Sequence, residues 1–198
     1  MSRHAAVAAI EDEHRSIAAV IHGLEYLATE LRAGRSSPDL VLLRAMLRYL
    51  REYPERLHHP AEDRTLFALL RRRTHDADAL VAELEAEHAQ GEARLAALEA
   101  AVDRMESGAP GAAAAFEAEV TGYAAFHWKH MGKEEEGILR VAERVLREED
   151  WAAVAAAFGA HAEARFGEGD TAQEYRRLFS RIVALAPPPI GVGPGPRG

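Results

Sequence analysis

Cysteine is absent from the 198 residues. Its absence removes disulfides, so nothing in the chain calls for an oxidising compartment. It also removes thiolate ligands, and with them cysteine zinc sites and iron–sulfur clusters. Any bound metal must be held by imidazole and carboxylate, a donor set that suits iron, manganese or zinc. Long apolar runs are missing too. None reaches the roughly 18 residues of a membrane-spanning helix. The N-terminal stretch carries Arg3, His4, Glu11, Asp12 and Glu13 in place of a signal-peptide core. The expected location is therefore cytoplasmic, with no membrane partner. There is no excess of positive charge: the net charge of −8 argues against nucleic acid as a partner. β-Branched runs are scarce, and no nucleotide or flavin motif is visible.

What is present is helix-former composition. Alanine, leucine, glutamate and arginine dominate, and hydrophobic residues make up 48%. The periodicity predicts four long helices, over about 3–33, 38–73, 76–107 and 112–148. Val7, Ile10, Ile17, Ile21 and Leu24 step by three and four along the first. Leu43, Leu47, Leu50 and Leu69 mark the second, Val81, Leu84, Leu95 and Leu98 the third, and Phe116, Val120, Tyr123 and Val141 the fourth. Pro54 and Pro60 lie inside the second segment and predict a kink or bulge there. Asp150 reads as the N-cap of a short helix over 151–158. A glycine-containing loop, an amphipathic helix over about 171–184 and a Pro/Gly-rich tail are expected to follow. The fold class expected is all-α: an up-down-up-down four-helix bundle over 1–148, with a C-terminal helical extension over 149–198.

Each of the four stripes carries ionisable groups in its middle. His14 and His88 stand alone, while His58 and His130 each have a glutamate four residues on, Glu62 and Glu134. Residues four apart share a helix face. A single histidine on an apolar stripe most often means a satisfied core imidazole. Four such stripes, with two carboxylates beside them, are another matter, because buried imidazoles and carboxylates need partners and a metal serves all of them. The six residues can share one layer of an antiparallel bundle. His127 stays open between a further ligand and a donor that orients one. His59, turned about 100° from His58, is expected at the rim. His22 is expected in solvent or at an interface, and Glu92 is a reserve ligand. Glu135, Glu136 and Asp63 read as surface charge, and His4, His75 and His161 have no assigned role. A rival pattern, Glu11-x-x-His14 with Glu85-x-x-His88, matches di-metal carboxylate bundles. Its glutamates, however, lie about 100° from their stripes, towards water.

These motifs resemble the hemerythrin-like (HHE cation-binding) family over about residues 10–145. The resemblance rests on Glu13-His14-Arg15, on Leu57-His58-His59-Pro60-Ala61-Glu62-Asp63, on Glu87-His88 with Gly91, and on His130-Met131 with Glu134-Glu135. It implies that His14, His58, Glu62, His88, His130 and Glu134 hold two iron ions joined by an oxo or hydroxo bridge. Glu62 and Glu134 would be the bridging carboxylates, and manganese or zinc are the alternative metals. Glu92 stands where oxygen-carrying hemerythrins have a second histidine of the third helix. Glu134 comes four residues after His130, where they have an aspartate five residues on. This more anionic site favours higher oxidation states of iron, or manganese, over simple oxygen carriage. The expected function is binding of oxygen, nitric oxide or peroxide for sensing, storage or stress protection, without turnover. The alternative is a redox enzyme on the same site, dismutating peroxide or oxidising iron. A structural bundle holding zinc ranks last, and the amphipathic helix around Tyr175–Ile182 is expected to pack on the bundle or on a second subunit, as in a homodimer.

Overall fold

A computed structural model describes residues 3–166, 177–180 and 182–184 of the chain. Among these residues every element is helical and there is no strand. No helix among them is long and apolar enough to cross a membrane.

Helix α1 runs unbroken over Arg3–Arg32. Helix α2 (Leu40–Leu50) starts at Asp39, whose carboxylate accepts the Leu42 N–H at 2.9 Å and satisfies one of the amides left free at a helix start. The helical path then changes pitch. It passes through the π-helical segment π1 (Arg51–His58), a turn α3 (His59–Ala61), a second wide segment π2 (Glu62–Phe67), and α4 (Ala68–Arg73). Pro54 lies inside π1 and Pro60 at the start of α3. Proline has no N–H to give, and the path accommodates it by widening: the His59 N–H reaches back five residues to the Pro54 carbonyl. The kink expected from the prolines is thus a pair of π turns.

The third segment is less continuous than its periodicity suggests. Helix α5 (Asp78–His88) ends at the histidine, and α6 (Gly91–Glu106) begins three residues later. The link to α7 (Ala112–Lys133) carries Gly108 and Gly111 at φ of +68° and +73°, which a side chain would strain. Beyond α7 come π3 (Glu134–Ile138) and α8 (Leu139–Val145). Helix α9 spans Glu148–Phe166, so the loop expected at Gly159 is the interior of a helix. Asp150 sits in its first turn and not at the cap position. Its carboxylate accepts the Arg147 N–H at 2.9 Å and pairs with Arg73. Residues 177–180 and 182–184 are helical, with Ile182 buried among the core side chains and Leu178 packed on them. The rest of the expected amphipathic helix and the Pro/Gly tail lie outside the described residues.

Helix α1 packs against α7 and α9, and α6 against α7 and α2. Their apolar faces build two separate clusters. One gathers Ile21, Leu24, Met46, Leu50, Leu98 and Phe116. The other gathers Ile10, Phe67, Leu84, Ile138, Trp151 and Phe158. Between them, along α1, π1, π2, α5, α7 and π3, lies a layer of buried ionisable side chains.

Candidate metal centre

Six side chains meet in that layer. The Nε2 atoms of His14 and His58 lie 3.1 Å apart, and so do those of His88 and His130. Two nitrogens bound at right angles to one ion, each at about 2.1 Å, would sit about 3.0 Å apart. Glu62 and Glu134 stand between the two imidazole pairs. Donor atoms of His14, His58, Glu62 and Glu134 lie within 4.8 Å of one another, and so do those of Glu62, His88, His130 and Glu134. Both sets contain both glutamates. The sequence-predicted ligands thus fall into two groups of four that share their carboxylates. All are buried except His88, which is nearly so.

The local chain explains this convergence. His58 closes π1 and Glu62 opens π2, while Glu134 opens π3. A π turn widens the helix and re-aims the side chains beside it, and such turns concentrate at functional sites. All three π segments of the described chain begin or end on a residue of the layer.

The outer nitrogen of each imidazole is also held. Nδ1 of His14 meets Glu135 at 2.8 Å, and Nδ1 of His58 meets Glu13 at 2.8 Å. Nδ1 of His88 meets Asp63 at 2.8 Å, and Nδ1 of His130 meets Glu87 at 2.9 Å. A carboxylate behind an imidazole fixes its tautomer, turns its other nitrogen inward and raises its basicity. The sequence reading missed this set, placing Glu135 and Asp63 on the surface and giving Glu13 and Glu87 no task. A signal was there: every one of the four is the immediate neighbour of a candidate ligand, in Glu13-His14, Glu62-Asp63, Glu87-His88 and Glu134-Glu135.

Other expectations need correction. His59 is buried and not at a rim; its ring stacks on that of His88 at 4.3 Å. His161 comes in from α9 and approaches Glu13 at 3.3 Å, so it supports the carboxylate that holds His58. Glu92, the reserve ligand, faces out towards Arg51 at 3.4 Å. His127 is buried beside Tyr123, outside both groups of four. His22 is exposed against Trp128, and Glu136 is exposed. In the rival motif, Glu85 pairs with Arg71 and the Glu11 carboxylate lies near Arg15.

The electrostatics of the layer call for a cation. All four carboxylate oxygens of Glu62 and Glu134 are buried with no hydrogen bond among the described residues. Imidazole nitrogens approach the Glu134 oxygens to 3.1 and 3.3 Å without hydrogen-bond geometry. Burial, with Glu134 beside it, pushes Glu62 well above the ordinary carboxylate range. Burial presses Glu134 the same way, but His130, His14 and His88 override it and hold it well below. His14 rises to about 9, because Glu134 and Glu135 outweigh the burial that opposes its charge. His88 does the same, to about 9, through Asp63 and Glu134. His58, fully enclosed, is pushed down by burial. Glu13 falls to about 2, as its bonds to His161 and His58 overcome burial. Buried carboxylates without hydrogen bonds cost stability unless a positive partner fills the gap, and a metal ion is the one this donor set fits.

The hemerythrin HHE cation binding domain family matches the chain over residues 5–142. The chain belongs to that family. The matched HHE domain takes in all six converging residues and ends before α9, so Phe158 and His161 reach the centre from outside it. No curated protein and no solved structure matches the chain.

Proposed function

We propose that the protein is a non-haem di-iron protein that binds oxygen, nitric oxide or peroxide for storage, sensing or protection against oxidative and nitrosative stress. In this reading His14 and His58 hold one metal, His88 and His130 hold the other, and Glu62 and Glu134 bridge them. Residues 1–148 act as an up-down-up-down four-helix bundle, with 149–198 as a C-terminal extension. The observation that carries the proposal is the sharing of both buried, unbonded glutamates by two sets of imidazoles. When bound, two iron ions would supply redox chemistry and positions open to a small ligand. The apolar clusters on either side keep bulk water away, which strengthens every electrostatic contact inside.

Elemental analysis of protein purified in air, with no metal added, tests the proposal. Two irons per chain are expected, together with changes in the visible spectrum on adding nitric oxide or peroxide. One zinc per chain, or no metal, would sink it.

A second reading, a redox enzyme on the same residues with iron or manganese, has an observation of its own. Tyr123 and His127 lie in contact beside the centre, 4.3 Å between rings, and each has a buried polar atom without a hydrogen bond. Such groups can pass protons to a reacting oxygen species. A surface cavity of about 320 Å³ is lined by Gln90, Arg94 and Tyr123. Catalytic consumption of peroxide that falls in Tyr123→Phe at unchanged metal content would favour this reading. Stoichiometric binding without turnover would exclude it.

A further inference from the structure

Each carboxylate behind an imidazole has more lone pairs than one N–H can fill. Two of the four can turn to water for the rest: the side chains of Glu135 and Asp63 are 45% and 35% exposed. The other two, Glu13 behind His58 and Glu87 behind His130, are only 3% and 16% exposed. Each of these has a further donor from the protein. For Glu87 it is Lys133, whose Nζ lies 2.5 Å away and which belongs to α7, inside the matched domain. For Glu13 it is His161, which belongs to α9, outside that domain. We propose that His161 is a positioning residue for the metal centre: its Nδ1–H donates to Glu13, fixes that carboxylate behind His58, and so aims Nε2 of His58 at the metal. This rests on the two-metal reading above and deepens it, by making a helix beyond the family's domain part of the metal site.

Geometry carries the assignment. Nδ1 of His161 lies 3.4 Å from Glu13 Oε2, the oxygen that accepts the His58 N–H, and 3.3 Å from Oε1. It thus spans the carboxylate and opposes its rotation. A buried carboxylate with a single donor is costly, and His161 offsets that cost where water does not reach. The spacing of the two imidazoles is set by one ring. Phe158 lies three residues before His161, on the same face of α9. It meets the His161 ring at 5.4 Å and the His58 ring at 5.7 Å, both edge-on. Helix α9 in turn packs along α1, which carries Glu13.

Packing alone would also bring a buried imidazole to the nearest carboxylate. The other half of the centre argues for more than that. There the same task falls to a different side chain on a different helix: Lys133 donates to Glu87, and Glu87 takes the His130 N–H. Two unrelated donors, one on α7 and one on α9, finish the two buried supports.

The test reads His58 first and the metal second. In the metal-free chain, nitrogen-15 NMR of the histidine side chains should show a proton on Nδ1 of both His58 and His161. In His161→Leu the His58 proton should exchange with water faster, while that of His88 stays as it was. Titrated with cobalt(II) against a competing chelator, the same variant should hold one of two ions roughly tenfold more weakly, the low end of what loss of a supporting partner costs. His161→Asn keeps an amide at the place of Nδ1 and should restore both readouts. Trp151→Leu loosens α9 ten residues away, about 15 Å along the helix, and should lower the melting temperature with wild-type cobalt affinity. Wild-type affinity in His161→Leu would overturn the proposal, and so would an equal loss in Trp151→Leu or in His161→Asn. If His161→Leu does not fold, the wild-type spectrum decides: a proton on Nδ1 of His161 supports the proposal and its absence overturns it. Glu134→Ala separates this outcome from failure of the two-metal reading. If Glu134→Ala loses metal while His161→Leu does not, only the role of His161 is wrong; if Glu134→Ala binds as the wild type does, both readings fall.

Discussion

Neighbouring residues in this layer serve different targets. Glu134 points its carboxylate into the centre, Glu135 reaches the outer nitrogen of His14, and Glu136 is exposed. The three are consecutive residues of π3 and differ by the rotation from each residue to the next. Replacing Glu134 with alanine removes a group common to both sets of converging donors, so on the di-iron proposal metal content should fall to one ion or none. Glu136→Ala should retain the wild-type content. Metal analysis of the two purified variants side by side checks this, and equal content in both would contradict the placement of Glu134. The stripe logic that makes the six converging residues legible in the sequence also hides their supports. A group one residue off an apolar stripe looks solvated, and Asp63, Glu87 and Glu135 are indeed partly exposed. They matter because one oxygen of each turns inward. His59 was misread for the same reason: its rotation from His58 looked like a route to the rim, but π1 ends there and the chain bends it inward.

Among the helices, α9 shows most plainly what periodicity leaves unread. Its alanine-rich surroundings let Gly159 continue the helix, where an isolated glycine suggested a loop. It then lays Trp151, Val154 and Phe158 into the same cluster as Ile10 of α1. Phe158 is fully buried, and its ring meets that of His58 edge-on at 5.7 Å. Truncating a buried phenylalanine costs about 3–5 kcal/mol. Phe158→Ala should lower unfolding stability by that order in a denaturant titration, and because His58 loses a wall, metal retention should fall too. Stability within about 0.5 kcal/mol of wild type, the range of substitutions at sites without such packing, would show that α9 does not brace the centre. The π segments stand between these cases. Pro54 announced a disturbance in the sequence, but nothing in the composition of Glu134–Ile138 announced a π turn, since that turn is set by how the side chains pack.

For the molecule as a whole, the metal-free state carries a pH signature. His14 and His88 are raised from 6.5 to about 9. A raised imidazole adds stability that is complete below its unfolded value and is lost as pH climbs through its folded one. Glu13, lowered from 4.5 to about 2, adds stability above 4.5 that is lost as pH falls towards 2. These three groups together should contribute most between about pH 4.5 and 6.5 and less on either side, as melting temperatures of the metal-free chain across pH would record. Metal binding must expel the imidazole protons, so affinity should rise with pH up to about 9. A melting profile flat from pH 5 to about 9 in the metal-free chain would contradict these shifts. The all-helical class and the family are readable from the sequence because both depend on repeated local patterns. The division of the core into two clusters with a charged floor between them depends on which stripes face each other, and that is a property of the assembled chain.

Two dipeptides of the layer, Glu13-His14 and Glu87-His88, act as stitches. Glu13-His14 on α1 ties itself to π1 through one residue and to π3 through the other. Glu87-His88 on α5 likewise ties to α7 and to π2. Each stitch holds two other elements at once, so no helix can slide by a turn, or gain a residue between its stitches, without undoing several imidazoles together. Length changes are tolerable in the turns far from this layer, around Gly34 or Gly108, and ruinous inside it.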